Sequence, residues 1–484
     1  MGMSEQEEVQ QEASGQSPVS HGGPAAFEQT PAEKRQTYIL FALVVIIVSL
    51  GALVQTAPNA MIPAIMADFG VSVDLGQWLT TAYMLVIGIS VPISTYYSKR
   101  LDIKRHVLIG GAVMCAGLLV DYFAPNFWIM LAGRIVQAVS VGMLMPLMQN
   151  IAAMRFPAGK KATAMGVAGI ALGFAPNVGP TVGGAMEAVV GWRGFFVLAL
   201  ALGVVLVVLV AAFVKNSTPM DETFRFETVS FIYSTLGFGG LLLGLSEASS
   251  FGFASALVWV PAAVGMVFLV LFVRRQRMLE QPLTNLDIFK SSQYVKGVLA
   301  LVFLFASFMG ITLIIPLYVQ GACGGTSLDA GMVLLPATVM ALIINPVSGI
   351  LTDKYGIKPV ARGFVVLLAL GAVLWVFVDE TTPLFLMMVY QTIRGLGVSG
   401  LIGPLQMWAL AQLPGRIVPD GSSMTILIRQ ASASLGTSAM VLAISASQVM
   451  AASMAAPALP YRLAFAVSAV FACACLIHIF AHVK

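Results

Sequence analysis

The sequence predicts an all-α, polytopic membrane protein with fourteen transmembrane helices and both termini in the cytoplasm. Three observations lead to this prediction. The 484 residues are 58% hydrophobic and only 10% charged, whereas soluble domains average about 25% charged residues. Fourteen stretches reach the roughly 20 apolar residues that a membrane-spanning helix needs. Basic residues recur in every second loop between these stretches, and Lys and Arg remain in the cytoplasm.

Residues 1–36 are expected to form a disordered cytoplasmic tail. They are polar, net acidic and rich in Gln, Ser, Gly and Pro, so they contain too little apolar surface to fold alone. They also lack the basic start and short apolar core of a cleavable signal peptide. The first apolar stretch is therefore expected to act as an uncleaved membrane anchor.

The fourteen predicted spans alternate in direction across the membrane. Basic loops follow spans two, four, six, eight, ten and twelve, whereas the opposite loops carry almost no Lys or Arg. Five tryptophans fall near the opposite ends, which fits an interfacial aromatic belt. They are Trp78, Trp128, Trp192, Trp259 and Trp375. The spans are residues 38–66, 76–97, 106–124, 127–152, 162–189, 193–214, 228–249, 255–273, 294–320, 329–351, 360–378, 384–411, 422–447 and 460–482.

The two halves of the chain resemble each other. The stretch VPISTYYSKRLDIKRHV, from Val91, aligns at a constant offset of 254 residues with NPVSGILTDKYGIKPVA, from Asn345. A weaker match joins VGMLMPLMQ, from Val141, to SGLIGPLQM, from Ser399. We therefore expect two related six-helix bundles with two helices inserted between them. After the tail, the domains are a first bundle at 37–215, inserted helices and a linker at 216–278, and a second bundle at 279–484.

The loop GILTDKYGIKP after span ten has a physical interpretation. Gly349 and Gly356 permit tight turns. Asp353 can accept hydrogen bonds at a helix terminus, while Lys354 and Lys358 face the cytoplasm.

These features resemble the major facilitator superfamily, and the two added central helices resemble its fourteen-helix drug:proton antiporter branch. The motifs that carry the resemblance are G-x-L-x-D-K-x-G-x-K after span ten, GRIVQAVSVG in span four, GPTVGG and GWRGFF around span five, QPLTNLDIF before span nine, and IRQASASLG in span thirteen. The resemblance covers nearly all of the chain after Arg35, and its motifs are spread through both halves. The resemblance implies a multidrug efflux transporter in which two bundles rock about a midplane cavity.

Arg134 is the clearest candidate for a functional charge, because a charged side chain inside a bilayer is costly. It lies about two turns into span four, and Gln137 follows one turn later. Arg134 either packs against an acid or backbone carbonyls, or lies in or beside the central cavity. The resemblance ties this Arg to proton coupling.

Span one departs from the family pattern L-D-x-T-x-x-N-x-A-x-P, which contains a membrane-embedded Asp. This chain reads LVQTAPNAMIP, with Val54 at the Asp position. Gln55, Thr56 and Asn59 supply polar groups to the candidate cavity, but none is a carboxylate.

Glu187 and Asp121 are the candidate replacements for the missing carboxylate, because a carboxylate is the natural proton carrier. Glu187 in span five is preferred to Asp121. The alternative is that both are interfacial acids facing water. Arg429 lies two turns inside the cytoplasmic end of span thirteen, where it either snorkels to the interface or lies in the cavity.

Glycines and prolines interrupt span five. Small residues allow helix backbones to approach closely in lipid, and each Pro removes a backbone donor and favours a bend. The pattern predicts either ordinary close packing or a bent gating seam against the other bundle. The seam residues are Gly169, Gly173, Pro176, Gly179, Pro180, Gly183 and Gly184.

We expect a secondary active transporter that exports lipophilic or cationic small molecules across a bacterial inner or plasma membrane, by proton antiport with alternating access. The sequence contains no phosphate-binding loop, catalytic set or metal-ligand cluster, so we expect no enzyme activity, metal or cofactor. The expected partners are the substrate, protons, the lipid bilayer and, in a host with an outer membrane, a periplasmic adaptor. Nucleic acid is not expected, and the protein is expected to be a monomer.

Three other functions remain open. Within transport, they are a narrow-specificity exporter and a proton-uncoupled facilitator or importer. Outside transport, the alternative is a membrane scaffold or sensor, which would not need a costly interior charge.

Overall fold

The computed structural model describes residues 30–216, 223–251, 255–454 and 456–483. The chain divides into two compact units, Met1–Arg35 and Gln36–Lys484. Of the first unit only residues 30–35 are described, so the expected disordered tail lies almost wholly outside the described residues. At its end, Thr30 and Glu33 exchange hydrogen bonds that begin the first helix.

The helices of the first bundle follow one another with short connections. Between α6 and α7 the chain passes through one π-helical turn, Ile170–Phe174. The helices are α1 Pro31–Thr56, α2 Pro58–Phe69, α3 Val73–Arg100, α4 Ile103–Phe123, α5 Phe127–Arg155, α6 Lys161–Gly169 and α7 Ala175–Phe213.

The rest of the chain forms the inserted hairpin and the second bundle. The inserted helices α8 and α9 pack on each other, and α8 also contacts α3 and α14. These helices are α8 Thr228–Phe251, α9 Ala256–Met278, α10 Ser292–Gly321, α11 Ser327–Tyr355, α12 Ile357–Leu374, α13 Leu384–Leu410, α14 Val418–Met454 and α15 Leu459–His482.

Polar residues set several helix starts, as their capping chemistry dictates. The Asp102 carboxylate accepts a hydrogen bond from the Arg105 backbone N–H at the start of α4. The Asn126 side chain accepts one from Ile129 at the start of α5. At the start of α11, Thr326 and Asp329 form a reciprocal capping box.

The number of crossings is consistent with fourteen. Twelve helical segments of the described chain are long and apolar enough to span a membrane. One of them, Lys161–Phe213, has 53 residues, or about 80 Å at 1.5 Å per residue, against a bilayer core of about 30 Å. Gly191 breaks it with a φ of 71° and a ψ of 169°, a conformation that glycine adopts readily. This segment therefore provides two crossings, and α8 adds another.

Span one, expected as one helix, is interrupted in its hydrogen bonding between α1 and α2. The backbone angles of Ala57 remain helical there, with a φ of −57° and a ψ of −41°. Pro58 has no N–H to continue the helical hydrogen bonds, which explains this break in the hydrogen bonding.

The expected aromatic belt is also only partly present. Trp78, Trp128 and Trp259 are exposed on the helix surface. Trp192 is buried and donates a hydrogen bond to the Asp68 carboxylate. Trp375 is fully buried, because its ring packs against aromatic side chains of α10 and α15.

The internal repeat extends through α4. The helical segment that begins with α12 and continues through Trp375–Phe377 covers residues 357–377, displaced from α4 by the same 254 residues as the sequence match. The two bundles thus share local geometry as well as short motifs.

Candidate functional site

The two bundles are joined at one end of the molecule, which we call the basic end because Lys99, Lys161, Lys354 and Arg416 lie there. The buried ammonium of Lys99, on α3, lies 2.9 Å from the carboxylate of Asp420, on α14. The hydroxyl of Thr95 donates to Ser423 at 2.7 Å.

Two further contacts join the bundles at a similar depth. The Ser422 hydroxyl donates to the Asn150 side chain at 2.5 Å, and the Gln406 amide donates to Gln149 at 3.0 Å. Each pair joins α5 of the first bundle to a helix of the second. Within the described chain, the hydrogen bonds between the bundles lie between the basic end and mid-depth.

Asp353 connects the bundles in a different way. Its carboxylate, on α11, accepts hydrogen bonds from the backbone N–H groups of Ala162 and Thr163 at 3.1 and 2.7 Å, and from the Thr163 hydroxyl at 2.6 Å. Ala162 and Thr163 lie in the first turn of α6, where backbone N–H groups lack helical partners. Asp353 therefore caps a helix of the opposite bundle.

The predicted loop around Asp353 is largely helical. Gly349, Asp353 and Lys354 all lie within α11, so Gly349 does not form the turn expected from the sequence. Its missing Cβ instead lets the backbone of α6 approach, since a Cβ would collide with Ala162 and Thr163. Gly356 does form the turn, with a φ of 82°, and Lys358 follows in α12.

The glycines of the predicted seam divide into two sets. A Cβ at Gly169 would collide with Asn345 of α11, as would one at Gly166, so this set faces the other bundle. Gly173 lies further from Asn345, because a Cβ built on Gly173 would be 3.8 Å from Asn345 Nδ2. Pro176 follows the π-helical turn, where the Asn177 side-chain amide donates to the Gly173 carbonyl at 2.8 Å.

The other glycines face their own bundle, contrary to a single seam against the second bundle. Built Cβ atoms at Gly179 and Gly183 would collide with Thr56 and Ala57, where α1 breaks. Gly184 is in looser contact with α2, and Pro180 continues α7 between these glycines. The small residues at the break explain why α7 approaches α1 so closely.

Arg134 is fully buried and surrounded by acceptors. Its guanidinium donates to the carbonyls of Val54, Gln55 and Leu79 at 2.8, 3.1 and 3.3 Å. It also donates to Gln137 Oε1 at 3.1 Å. The guanidinium carbon lies 4.2 Å from the Tyr83 ring centroid, a distance at which cation–π attraction operates.

The break in α1 explains how Arg134 is held without an acid in span one. In a continuous helix the Val54 carbonyl would accept from the N–H of residue 58. Pro58 has none, so this carbonyl is free for the guanidinium. The backbone carbonyl of Val54 thus accepts a hydrogen bond from Arg134 although its side chain offers no acceptor.

A carboxylate does reach this network, from α4. The Gln137 amide donates to Asp121 Oδ2 at 2.7 Å, so Gln137 bridges Asp121 and Arg134. Asp121 is fully buried, and its Oδ1 has no hydrogen-bond partner in the described chain. Gly133 makes room for it, because a Cβ there would collide with the carboxylate.

The other predicted residues lie around this network rather than in it. Glu187 is half-buried on α7, and within the described chain it makes no hydrogen bond or ion pair with Arg134. The Thr56 hydroxyl donates to the Pro176 carbonyl at 2.8 Å. Asn59 is exposed and accepts from Thr80 at 2.5 Å.

The second bundle holds a buried arginine that the sequence analysis did not select. Arg394, on α13, donates to the carbonyl of Ser307 at 2.6 Å and lies 3.3 Å from the Ser468 hydroxyl. The repeat offset places Trp375 where α4 has Asp121. Arg394 accordingly lacks a carboxylate partner in the described chain. The sequence feature that could have identified it is a single Arg within an apolar span.

Arg429 is buried where the bundles meet. Its guanidinium carbon lies 4.7 Å from the Phe305 ring centroid on α10. Its Nη2 lies 3.7 Å from the sulfur of Met145 on α5. The burial does not fit a side chain that snorkels to the membrane interface.

The described residues contain no group of three or more His, Cys, Asp or Glu side chains that could hold a metal ion.

Comparison with known proteins gives matches to one superfamily. The Major Facilitator Superfamily model matches residues 44–437. YcnB, an uncharacterized MFS-type transporter of Bacillus subtilis, is 34% identical over 392 residues, which cover 81% of this chain and 83% of that protein. The lincomycin resistance protein LmrB of Listeria monocytogenes is 32% identical over 423 residues, or 87% of this chain and 89% of that protein.

A solved structure shows the same fold. The proton:xylose symporter XylE covers 93% of this chain and 97% of its own, with a TM-score of 0.63 and 12% sequence identity. At this identity the likeness concerns the architecture alone.

Proposed function

Because the chain belongs to the Major Facilitator Superfamily of multi-pass membrane transporters, we propose that it exports lipophilic small molecules across a bacterial plasma membrane in exchange for protons. The two bundles would expose a central substrate site alternately to each side of the membrane. The chain would act as a monomer.

The similarity to LmrB supports the export direction. That relative is named for resistance to lincomycin, and a transporter protects a cell from a drug by moving it outward. The bacterial sources of LmrB and YcnB support a plasma-membrane location.

The closure at the basic end supports alternating access. Lys99–Asp420, Asn150–Ser422 and the Asp353 cap join the two bundles on this side, and the described residues form no such contacts on the opposite side. If the basic loops are cytoplasmic, this is a state closed to the cytoplasm. Opening to the cytoplasm would require these contacts to break together.

The buried link between Asp121 and Arg134 carries the proposal of proton coupling. When Asp121 is ionised, its charge compensates the guanidinium through Gln137. A proton on Asp121 Oδ1 would leave Arg134 without a counter-charge in a medium that solvates it poorly. Protonation would therefore favour whichever conformation better satisfies Arg134, and this preference couples proton occupancy to conformation.

Everted membrane vesicles test this proposal. Wild-type vesicles with an imposed proton gradient should accumulate lipophilic dyes. Asp121→Asn should abolish gradient-driven uptake but retain exchange of dye down its own gradient, because the amide has nearly the shape of the carboxylate but cannot carry the proton. Glu187→Gln is the matched control and should behave as wild type.

The outcomes separate the competing functions. Full gradient-driven uptake by Asp121→Asn would remove Asp121 as the proton carrier, and loss in Glu187→Gln alone would transfer the role to Glu187. Wild-type uptake that is independent of the gradient would indicate a facilitator. No movement of any dye would leave a narrow-specificity exporter and a scaffold or sensor as the alternatives.

A further inference from the structure

We infer that Arg429 binds an acidic group of the transported molecule, so that the central site takes lipophilic organic anions in preference to cations. This inference rests on the proposed function, because it assigns a substrate class to the same pathway.

The position of Arg429 fits a substrate site. It lies eleven residues into α14, about 16 Å from the start of that helix at the basic end. Met145, on α5, lies ten residues before the end of that helix, which is also at the basic end. Their contact joins the bundles at mid-depth and is the hydrogen bond between bundles, among those described, that lies farthest from the basic end. A molecule bound there would lie above the closed contacts of the basic end.

The charge of Arg429 is not compensated in the described structure. Only 7% of the residue is exposed. Among the described residues, no carboxylate lies within salt-bridge distance of its guanidinium and Nη1 has no hydrogen-bond partner. The acceptor of Nη2 is a thioether sulfur, which accepts weakly. A buried charge without a partner is unfavourable, so an incoming anion would be stabilised here.

Two other buried cations are better compensated than Arg429, whereas Arg394 also lacks a carboxylate partner in the described chain but lies within the second bundle, where Ser307 and Ser468 accept its hydrogen bonds. Arg134 donates to four acceptors, three of them backbone carbonyls. Gln137 also links it to the Asp121 carboxylate. Lys99 forms an ion pair with Asp420. In Arg429 the planar guanidinium remains available for a carboxylate, which it can bind through two parallel hydrogen bonds.

The surroundings of Arg429 favour an aromatic or otherwise lipophilic acid. Phe305 lies against the guanidinium, and Phe308 lies 6.2 Å from Phe305 between ring centroids. Met145 adds an adaptable apolar contact. The same positive charge would repel a permanently cationic molecule.

Binding to the purified, full-length protein tests this inference without a proton gradient. The probes are fluorescein, which is anionic, and rhodamine 123, which has the same xanthene ring system and is cationic. Fluorescence anisotropy should show tighter binding of fluorescein. Arg429→Gln should weaken fluorescein binding by about ten- to a hundred-fold, the usual effect of losing charge-assisted hydrogen bonds, and should not weaken rhodamine 123 binding.

Two variants and one lipid complete the design. Arg429→Lys should retain part of the fluorescein binding, and Arg416→Gln, which alters an exposed Arg at the basic end, should leave it unchanged. Thermal unfolding of each variant verifies its fold. If phosphatidylglycerol displaces fluorescein from the wild type but not from Arg429→Gln, both ligands bind Arg429 through an acidic group and the inference holds. If the lipid binds there and fluorescein never does, the site is a lipid site and the inference is wrong.

The binding result and the transport result are separable. Binding of fluorescein that is insensitive to Arg429→Gln, or preference of the wild type for rhodamine 123, would overturn the inference even if vesicles pump dyes. Binding that depends on Arg429 without gradient-driven uptake would sustain the anion site and refute proton-driven export.

Discussion

Removing the Asp353 cap should open the basic end. Asp353→Ala eliminates three hydrogen bonds from Ala162 and Thr163 to a carboxylate. A hydrogen bond to a charged group contributes about 1.5–3 kcal/mol when buried. Asp353 is only partly buried and the three bonds share two oxygens, so we take about 1 kcal/mol for each. The closed state should lose about 3 kcal/mol, which corresponds to an increase of about 150-fold in the ratio of open to closed molecules.

Alkylation of a cysteine in the closed contact measures that ratio. Ser423→Cys places a thiol at a residue that is 2% exposed, in a chain whose four native cysteines are replaced. When closing is faster than alkylation, the labelling rate is proportional to the open population. Asp353→Ala should therefore raise the rate of maleimide labelling by about 150-fold, and Asp353→Asn by less, since one acceptor oxygen remains.

Asp287 provides the matched control. It is an exposed Asp with an ion pair, but its partner is Lys290 in the same turn, so it joins no bundles. Asp287→Ala should leave the labelling rate within about two-fold of its parent. A similarly small change in Asp353→Ala would refute the argument that this carboxylate holds the basic end closed.

Three further predictions concern stability and packing. Gly191→Ala should cost about 1–3 kcal/mol because of its positive φ, whereas Gly331→Ala, in open helical space, should stabilise by up to about 1 kcal/mol; equal effects on the unfolding temperature would contradict the backbone argument. Hydrogen bonds from Arg275 hold the pKa of Glu227 at about 2, below its usual 4.5. The stabilising contribution of Glu227 is therefore full above about pH 4.5 and is lost as the pH falls toward 2. The unfolding temperatures of wild type and Glu227→Gln should differ at pH 7 and converge near pH 2. A difference that persists at pH 2 would show that the ionised Glu227 is not its cause. Gly183→Leu should impair export but not membrane insertion, because its side chain would strike the break in α1, and normal export would show that this contact is dispensable.

The helices and the repeat could be predicted from the sequence because both are local or periodic properties. Apolar length located the crossings, and the offset of 254 residues anticipated the matching positions of α4 and α12. The interruption at Pro58 was not predicted, although the missing N–H of a proline within a span is a sequence signal for one. The burial of Trp375 was missed because a tryptophan near a helix end has the same local sequence whether it faces lipid or aromatic neighbours.

The candidate site was less predictable, because its contacts join distant segments. Arg134 and Gln137 were selected from their depth in one helix. Asp121 was ranked below Glu187, since nothing in the spacing shows that α4 turns its carboxylate toward α5. The same limit applies to the glycines of span five, whose partners lie on α1 and α11.

Trp375 has a consequence for the electrical balance of the proposed cycle. Because it occupies the position equivalent to Asp121, the described part of the second bundle offers no matching proton carrier, and one cycle would move one proton. A proton moving inward and an organic anion moving outward carry two charges in the same electrical sense. A membrane potential of about 100 mV would then supply about 4.6 kcal/mol per cycle. Such a transporter would keep exporting at equal pH on both sides of a polarised membrane, and collapsing the potential with valinomycin and potassium should stop it.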